Sequence, residues 1–220
     1  MRRYDLYILD FDGTAFDTVD SLVDIFNAGF NAIGRECTKE EVEIYMCHSL
    51  EETCQIAGVK GDDIKPFVDS IMDALNKELS SEKIKPFPEL SSFIKKVKEN
   101  DSLTGFVSNN ANDHIERVLS LNGIKKDTFD FVIGFSPKRR TKPYPDMLDY
   151  ACEITGIAKE KACYIGDALQ DYEAAKNAGI DGFLLDRRGI HRDFDGQIIK
   201  SLLDVFPVAE QQEKKDNQAR

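Results

Sequence analysis

From residue 91 onward, short apolar runs and amphipathic stretches take turns along the chain. Helical spacing over 91–99 is followed by an extended run at 103–107, and helical spacing over 113–121 by an extended run at 131–134. The same exchange repeats with helices expected at 145–155 and 172–178, extended runs at 162–165 and 182–185, and a last helix at 197–206. Strands that alternate with helices imply a parallel sheet, because parallel neighbours need a crossover connection between them. An earlier run, Tyr4 to Asp10, is short and apolar and ends on an acid, as suits a buried strand that delivers polar groups at its tip.

Between that first run and Pro86 the pattern changes. Leu22, Ile25, Phe26 and Phe30, then Phe67, Ile71, Leu75 and Leu79, recur at helical spacing, with Gly34, Gly58 and Gly61 as stops. The expected fold is therefore α/β, with an all-helical block inserted after the first strand. Residues 1–15 and 87–207 would form the sheet-bearing core, 16–86 the helical insertion and 208–220 a charged tail with little to bury.

Composition limits the partners. The 220-residue chain carries 40 acidic and 29 basic residues, a net charge of −11, which argues against a nucleic-acid partner. The five cysteines are odd in number and lack a Cys-x-x-Cys pair, so they read as reduced thiols. With neither a signal peptide nor a membrane-length apolar stretch, the expectation is a cytoplasmic protein with no membrane partner.

In an open parallel sheet, ligands bind outside the carboxyl ends of the strands. The first strand ends in Asp10-Phe11-Asp12-Gly13-Thr14, the second in Ser108-Asn109-Asn110, and a later one in Gly166-Asp167-Ala168-Leu169-Gln170-Asp171; Lys142 sits in the loop after the third. Asp10 and Asp12 leave one face of an extended segment, and Gly13 permits a tight turn that offers backbone N–H groups to an anion. Asp167 and Asp171 can turn toward the same hard cation. So many acids need a counter-charge, and Mg²⁺ supplies it with oxygen ligands, water and phosphate. Ser108 can donate to a phosphoryl oxygen, with Asn109 or Asn110 nearby, while Lys142 can neutralise another and lower the pKa of a nucleophilic acid.

This ordered set resembles the haloacid dehalogenase superfamily, in the phosphoglycolate-phosphatase-like branch whose helical cap follows the first motif. The resemblance implies a Rossmann-like sheet flanked by helices and a phosphatase acting on a small phosphorylated metabolite. Asp10 would then attack phosphorus and Asp12 would protonate the leaving group. Thr14, Ser108, Asn109 and Lys142 would bind phosphate, and Mg²⁺ would be held by Asp10, the Asp12 carbonyl and Asp167, with Asp171 directly or through water. Members that cleave carbon–halogen bonds typically lack the second Asp, so Asp12 favours phosphoryl transfer. The segment 47–53 resembles a cap loop that faces the active site, which makes His48 a specificity candidate, and Arg140 would attract a second anionic group. Two alternatives stay open: a phosphosugar mutase, and a non-catalytic phosphate-binding module.

Overall fold

The computed structural model describes residues 3–45, 50–78 and 84–207. In chain order it contains β1 (Leu6–Leu9), β2 (Phe16–Asp17), α1 (Val19–Ala32), α2 (Lys39–Tyr45), α3 (Leu50–Ile56), α4 (Ile64–Glu78) and β3 (Lys85–Pro86). There follow α5 (Leu90–Glu99), β4 (Leu103–Val107), α6 (Asn112–Leu121), β5 (Phe131–Ile133), α7 (Asp146–Thr155), β6 (Ala162–Gly166), α8 (Leu169–Ala178), β7 (Asp181–Leu185) and β8 (Ile198–Ile199). Strands β5-β4-β1-β6-β7-β8 form one sheet in that order, and every pairing in it is parallel.

β1 lies inside the sheet, with Leu6 level with Leu103 on one side and Ala162 on the other. All four of its residues are buried, as expected of a strand covered on both faces. Successive side chains on a strand point to opposite faces, and here they feed two different cores. Tyr7 and Leu9 join Phe106, Ile165 and Phe183 beneath α5 and α6. Leu6 and Ile8 join Val107, Ala162 and Tyr164 beneath α7 and α8. From β1 the chain builds outward to β4 and β5, then returns to build β6, β7 and β8 on the other side. That reversal opens a crevice at the carboxyl ends of β1, β4 and β6.

Helices α1 to α4 enclose a third core of their own, built on Ile25, Phe26, Phe30, Val42, Phe67 and Ile71. Gly29 makes the α1–α4 approach possible, since a Cβ there would stand 2.6 Å from the Ile71 side chain. The chain leaves the sheet unit and returns to it through β2 and β3, which pair antiparallel, Phe16 opposite Pro86. Phe87 N–H donates to the Ala15 carbonyl at 2.9 Å just beyond them. The expectations for 208–220 and for Leu79 fall outside the described residues.

One element differs from its sequence expectation. Residues 197–206 are not a helix: Ile198 and Ile199 pair with β7, and Ser201 then caps a 3-10 turn over Leu202–Val205. Two adjacent β-branched residues complete the sheet edge, and one tight turn is enough to bury Leu202, Val205 and Phe206. A short apolar pattern of this kind fits either element.

The loop after β7 is organised by Asp186. Its carboxylate accepts from the backbone N–H groups of Gly189, Ile190 and His191 at 2.7, 3.0 and 3.2 Å, and from Lys200 Nζ at 3.3 Å. Burial raises its pKa, but these donors outweigh burial and hold it down at about 2. A depressed carboxylate stabilises the fold above its unfolded pKa, and that contribution disappears as pH falls from about 4 through about 2. Asp186→Ala should cost about 2 kcal/mol in urea unfolding at pH 7, and the difference from wild type should shrink steadily when the measurement is repeated down that acid window.

Candidate active site

The polar tips of β1, β4 and β6, with the loop after β5, surround a cavity of about 630 Å³ whose lining includes Asp10, Asp12, Ser108, Asn109, Lys142, Asp167 and Asp171. At its base the buried Lys142 ammonium donates to Asp10 Oδ1 at 2.7 Å, to Asp171 Oδ1 at 2.5 Å and to the Tyr164 hydroxyl oxygen at 3.0 Å. Tyr164 in turn donates to the Val107 carbonyl at 2.9 Å. The Lys142 backbone N–H donates to Asn109 Oδ1 at 3.0 Å, so the β4 loop fixes where the lysine starts. Ser108 is buried and its Oγ accepts from Asn110 N–H at 3.2 Å. Asn110 Nδ2 donates to Asp12 Oδ2 at 2.5 Å, aiming that carboxylate.

Gly13 has φ +68°, a left-handed conformation that favours glycine, and a Cβ there would overlap the Asp167 carboxylate. The first motif therefore lies directly against the acidic motif. Thr14 Oγ1 donates to Asp167 Oδ1 at 3.2 Å, so Thr14 orients an acid and does not line the cavity. One carboxylate oxygen each from Asp10, Asp167 and Asp171 lie within 4.8 Å of one another.

The electrostatics of this cluster are unbalanced. Burial drives the Asp10 pKa well above the ordinary carboxylate range; Lys142 opposes the rise, and Asp171, Asp167 and Asp12 add to it. Lys142 thus acts in the expected direction but does not prevail. Burial alone would lower the Lys142 pKa, yet Asp10 and Asp171 carry it well above its ordinary value and keep it charged. Burial and Asp171 push Asp167 up to about 7. Among the described residues four aspartates share the cavity with one ammonium, which leaves the cluster short of positive charge. Hard oxygen donors in this arrangement fit Mg²⁺. Asp10 and Asp167 present themselves most directly, because Asp171 already accepts from Lys142 through Oδ1 and from Ala168 N–H through Oδ2.

Arg140 is not brought to the cavity. It is exposed, pairs with Asp146 at 2.7 Å and lies over the Tyr144 ring at 4.4 Å, outside the cavity lining. His48 lies outside the described residues. Glu52 of α3, within the segment 47–53 expected to face the active site, lines the cavity from the helical side. Two residues that line or support the site had no clear sequence signal: Tyr164 sits mid-strand and looks like core, and His114 of α6 faces Asp12 edge-on to Phe11. Burial lowers the His114 pKa and Asp12 opposes that effect.

A family model described as haloacid dehalogenase-like hydrolase matches residues 7–184. The chain belongs to the haloacid dehalogenase-like hydrolases. It is 29% identical over 174 residues to pyrophosphatase PpaX of Listeria monocytogenes serotype 4b, with 78% of each chain covered. To a phosphoglycolate phosphatase of Psychrobacter arcticus it is 28% identical over 189 residues, covering 80% of each. Among solved structures, a haloacid dehalogenase-like family hydrolase from Streptococcus pneumoniae superposes with TM-score 0.78 at 19% identity, over 95% of this chain and 99% of that one. CbbY from Rhodobacter sphaeroides in complex with phosphate gives TM-score 0.73 at 18% identity, over 94% and 98%. At such identities the structural likeness speaks for the shared hydrolase fold. Among the described residues no helix is long and apolar enough to cross a membrane.

For this hydrolase the acid cluster makes stability depend on pH in a defined direction. Unfolded, Asp167 titrates near 3.9 (about the free-residue value); folded, at about 7. Between these values the folded state holds the extra proton, so stability falls as pH rises through the window. The metal-free protein should therefore melt at a lower temperature at pH 8 than at pH 5. Asp167→Asn should flatten that slope, and Mg²⁺ should raise the melting temperature more at pH 8 than at pH 5. Scanning calorimetry at the two pH values, with and without Mg²⁺, checks all three.

Proposed function

We propose that this hydrolase is a Mg²⁺-dependent phosphatase that cleaves a small phosphate monoester through an aspartyl-phosphate on Asp10. The observation that carries the reading is the placement of Asp10, held 2.7 Å from Lys142, in one cavity with Ser108 and Asp167 while Asn110 holds Asp12 alongside. The relatives named for pyrophosphate and phosphoglycolate support phosphoryl chemistry.

In the first step an Asp10 oxygen forms a bond to phosphorus as the bond from phosphorus to the ester oxygen breaks. Asp12 gives its proton to the departing alkoxide, which leaves as the alcohol. In the second step water attacks phosphorus, its proton passes to Asp12, and the bond to Asp10 breaks to release inorganic phosphate and regenerate both carboxyl groups. Ser108 donates to a phosphoryl oxygen, and Lys142 steadies the negative charge next to Asp10 throughout. Mg²⁺, held by Asp10, Asp167 and the Asp12 carbonyl, with Asp171 directly or through water, would supply Lewis-acid charge neutralisation on the transferred group.

On the same reading, the helical block serves as a cap that excludes water, and the paired linkers β2 and β3 are its hinge. Such an ester is a soluble metabolite, and we place the enzyme in the cytoplasm.

Purified protein should release inorganic phosphate from a panel of small esters only when Mg²⁺ is present, and chelation should abolish the release. Asp10→Asn should fall to background, Asp12→Ala should lose roughly 10²- to 10⁴-fold in kcat, and Lys142→Met on the order of 10²- to 10³-fold. A fully active Asp10→Asn enzyme would refute the reading. Return of the phosphoryl group to a sugar phosphate, seen by product analysis, would identify a mutase instead.

A further inference from the structure

All three N–H bonds of the Lys142 ammonium are in use, on Asp10 Oδ1 at 2.7 Å, Asp171 Oδ1 at 2.5 Å and the Tyr164 hydroxyl oxygen at 3.0 Å. A phosphoryl oxygen beside Asp10 would be a fourth acceptor. One of the three must then yield.

Position decides which. Asp10 and Asp171 line the catalytic cavity, whereas Tyr164 does not: it is 1% exposed, with its ring in the core beneath α7 and α8. A ligand in the cavity therefore competes for the N–H bonds that meet the two carboxylates. Since the bond to Asp10 steadies the nucleophile, the contest is for the N–H on Asp171. That carboxylate is 2% exposed, and its Oδ1 would lose a charged donor where water cannot replace it.

The Tyr164 hydroxyl can fill the gap. Its single proton faces two acceptors, the Val107 carbonyl at 2.9 Å and Asp171 Oδ1 at 3.2 Å. While the ammonium holds Asp171, the hydroxyl serves Val107. Once the ammonium is drawn to phosphate, a turn about the Cζ–O bond carries the proton to Asp171, and the hydroxyl oxygen goes on accepting from Lys142. The exchange gives up a neutral hydrogen bond and makes a charge-assisted one, the stronger kind. The surrounding frame stays in place, with Asp171 Oδ2 on the Ala168 N–H at 3.1 Å and the Lys142 backbone on Asn109 at 3.0 Å.

We propose that Tyr164 is a positioning residue whose hydroxyl takes over Asp171 when Lys142 turns to the phosphoryl group. The proposal rests on the phosphatase reading above and deepens it, because it says how a lysine that is already fully bonded becomes able to bind phosphate.

Tyr164→Phe removes this one hydroxyl and leaves the buried ring in the core. Titration calorimetry with inorganic phosphate in the presence of Mg²⁺ reads binding without turnover, and the variant should bind about tenfold more weakly than wild type. In a Lys142→Met background, where no ammonium leaves Asp171, the same substitution should cost less than about twofold, since the two residues act as one unit. In wild type labelled with ¹³C-tyrosine, the Tyr164 Cζ resonance should shift on saturation with phosphate although the ring lies behind the cavity wall. That resonance decides the question alone wherever Lys142→Met binds phosphate too weakly to titrate. Unchanged affinity in Tyr164→Phe, a full loss that persists without Lys142, or an unmoved Cζ resonance would each overturn the proposal. The phosphatase reading fails separately: if wild type with Mg²⁺ releases no phosphate from the ester panel while the binding pattern holds, Tyr164 keeps its role and the reaction does not stand.

Discussion

The buried Lys142 ammonium is the point on which the site converges. Its three N–H donors meet three acceptors, Asp10 from the end of β1, Tyr164 from within β6 and Asp171 from the first turn of α8. A fourth element joins through Asn109, which fixes the lysine backbone from the β4 loop. A buried ion pair offers little net stability against an apolar replacement, but removing one partner leaves a stranded charge, typically worth 3–5 kcal/mol (an order-of-magnitude figure). The four elements are therefore bound to a common geometry by a group that none of them can lose cheaply.

One cation among four acids also explains the character of the pocket. Asp10, Asp12 and Asp167 all have raised pKa values, with burial as the leading cause in each case. In a core built only for stability such an arrangement would be unfavourable, and sites where local rules are broken are where function is expected. On the proposed reading, a net charge of −11 is compatible with a phosphorylated substrate because Mg²⁺ would join Lys142 inside this pocket, and the charge that matters is the one within a few ångströms of the substrate.

Asp10, Asp12, Ser108, Lys142, Asp167 and Asp171 were legible in the sequence because each follows an apolar run that reads as a strand, and a parallel sheet gathers such tips at one edge. The structure brings all six to one cavity. What stayed hidden depends on tertiary placement. Tyr164 alternates correctly for a core position, and only the approach of Lys142 reveals its hydroxyl as part of the site. His114 lies in the first turn of an amphipathic helix, where nothing local points it at Asp12. Arg140 is the converse case: it was expected to attract a second anionic group, and only the structure shows that Asp146, six residues on, takes its guanidinium. The last sheet strand was missed because two residues are too few to show a period.

A second, largely apolar cavity of about 430 Å³ shares Asp12 and Asn110 with the catalytic one, and the two differ in how they are built. Most groups that line the catalytic cavity belong to the sheet unit, with Glu52 as the contribution of α3. The apolar cavity is divided: Asp12, Asn110 and His114 come from the sheet unit, and the helical walls from α1 to α4. Chain connection between the halves runs through the short β2–β3 pair. Arg187 braces that junction by donating to the Thr14 carbonyl at 3.0 Å, pairing with Glu89 at 2.6 Å and lying over the Phe87 ring at 3.8 Å. On the proposed hinged-cap reading, a group that occupies the divided cavity gains most of its contact only while the halves are together, so its binding free energy differs between the closed and open arrangements. A ligand shifts a conformational equilibrium by that difference and by no more. On the phosphatase reading, exclusion of water from Asp12 then follows from that apolar surface.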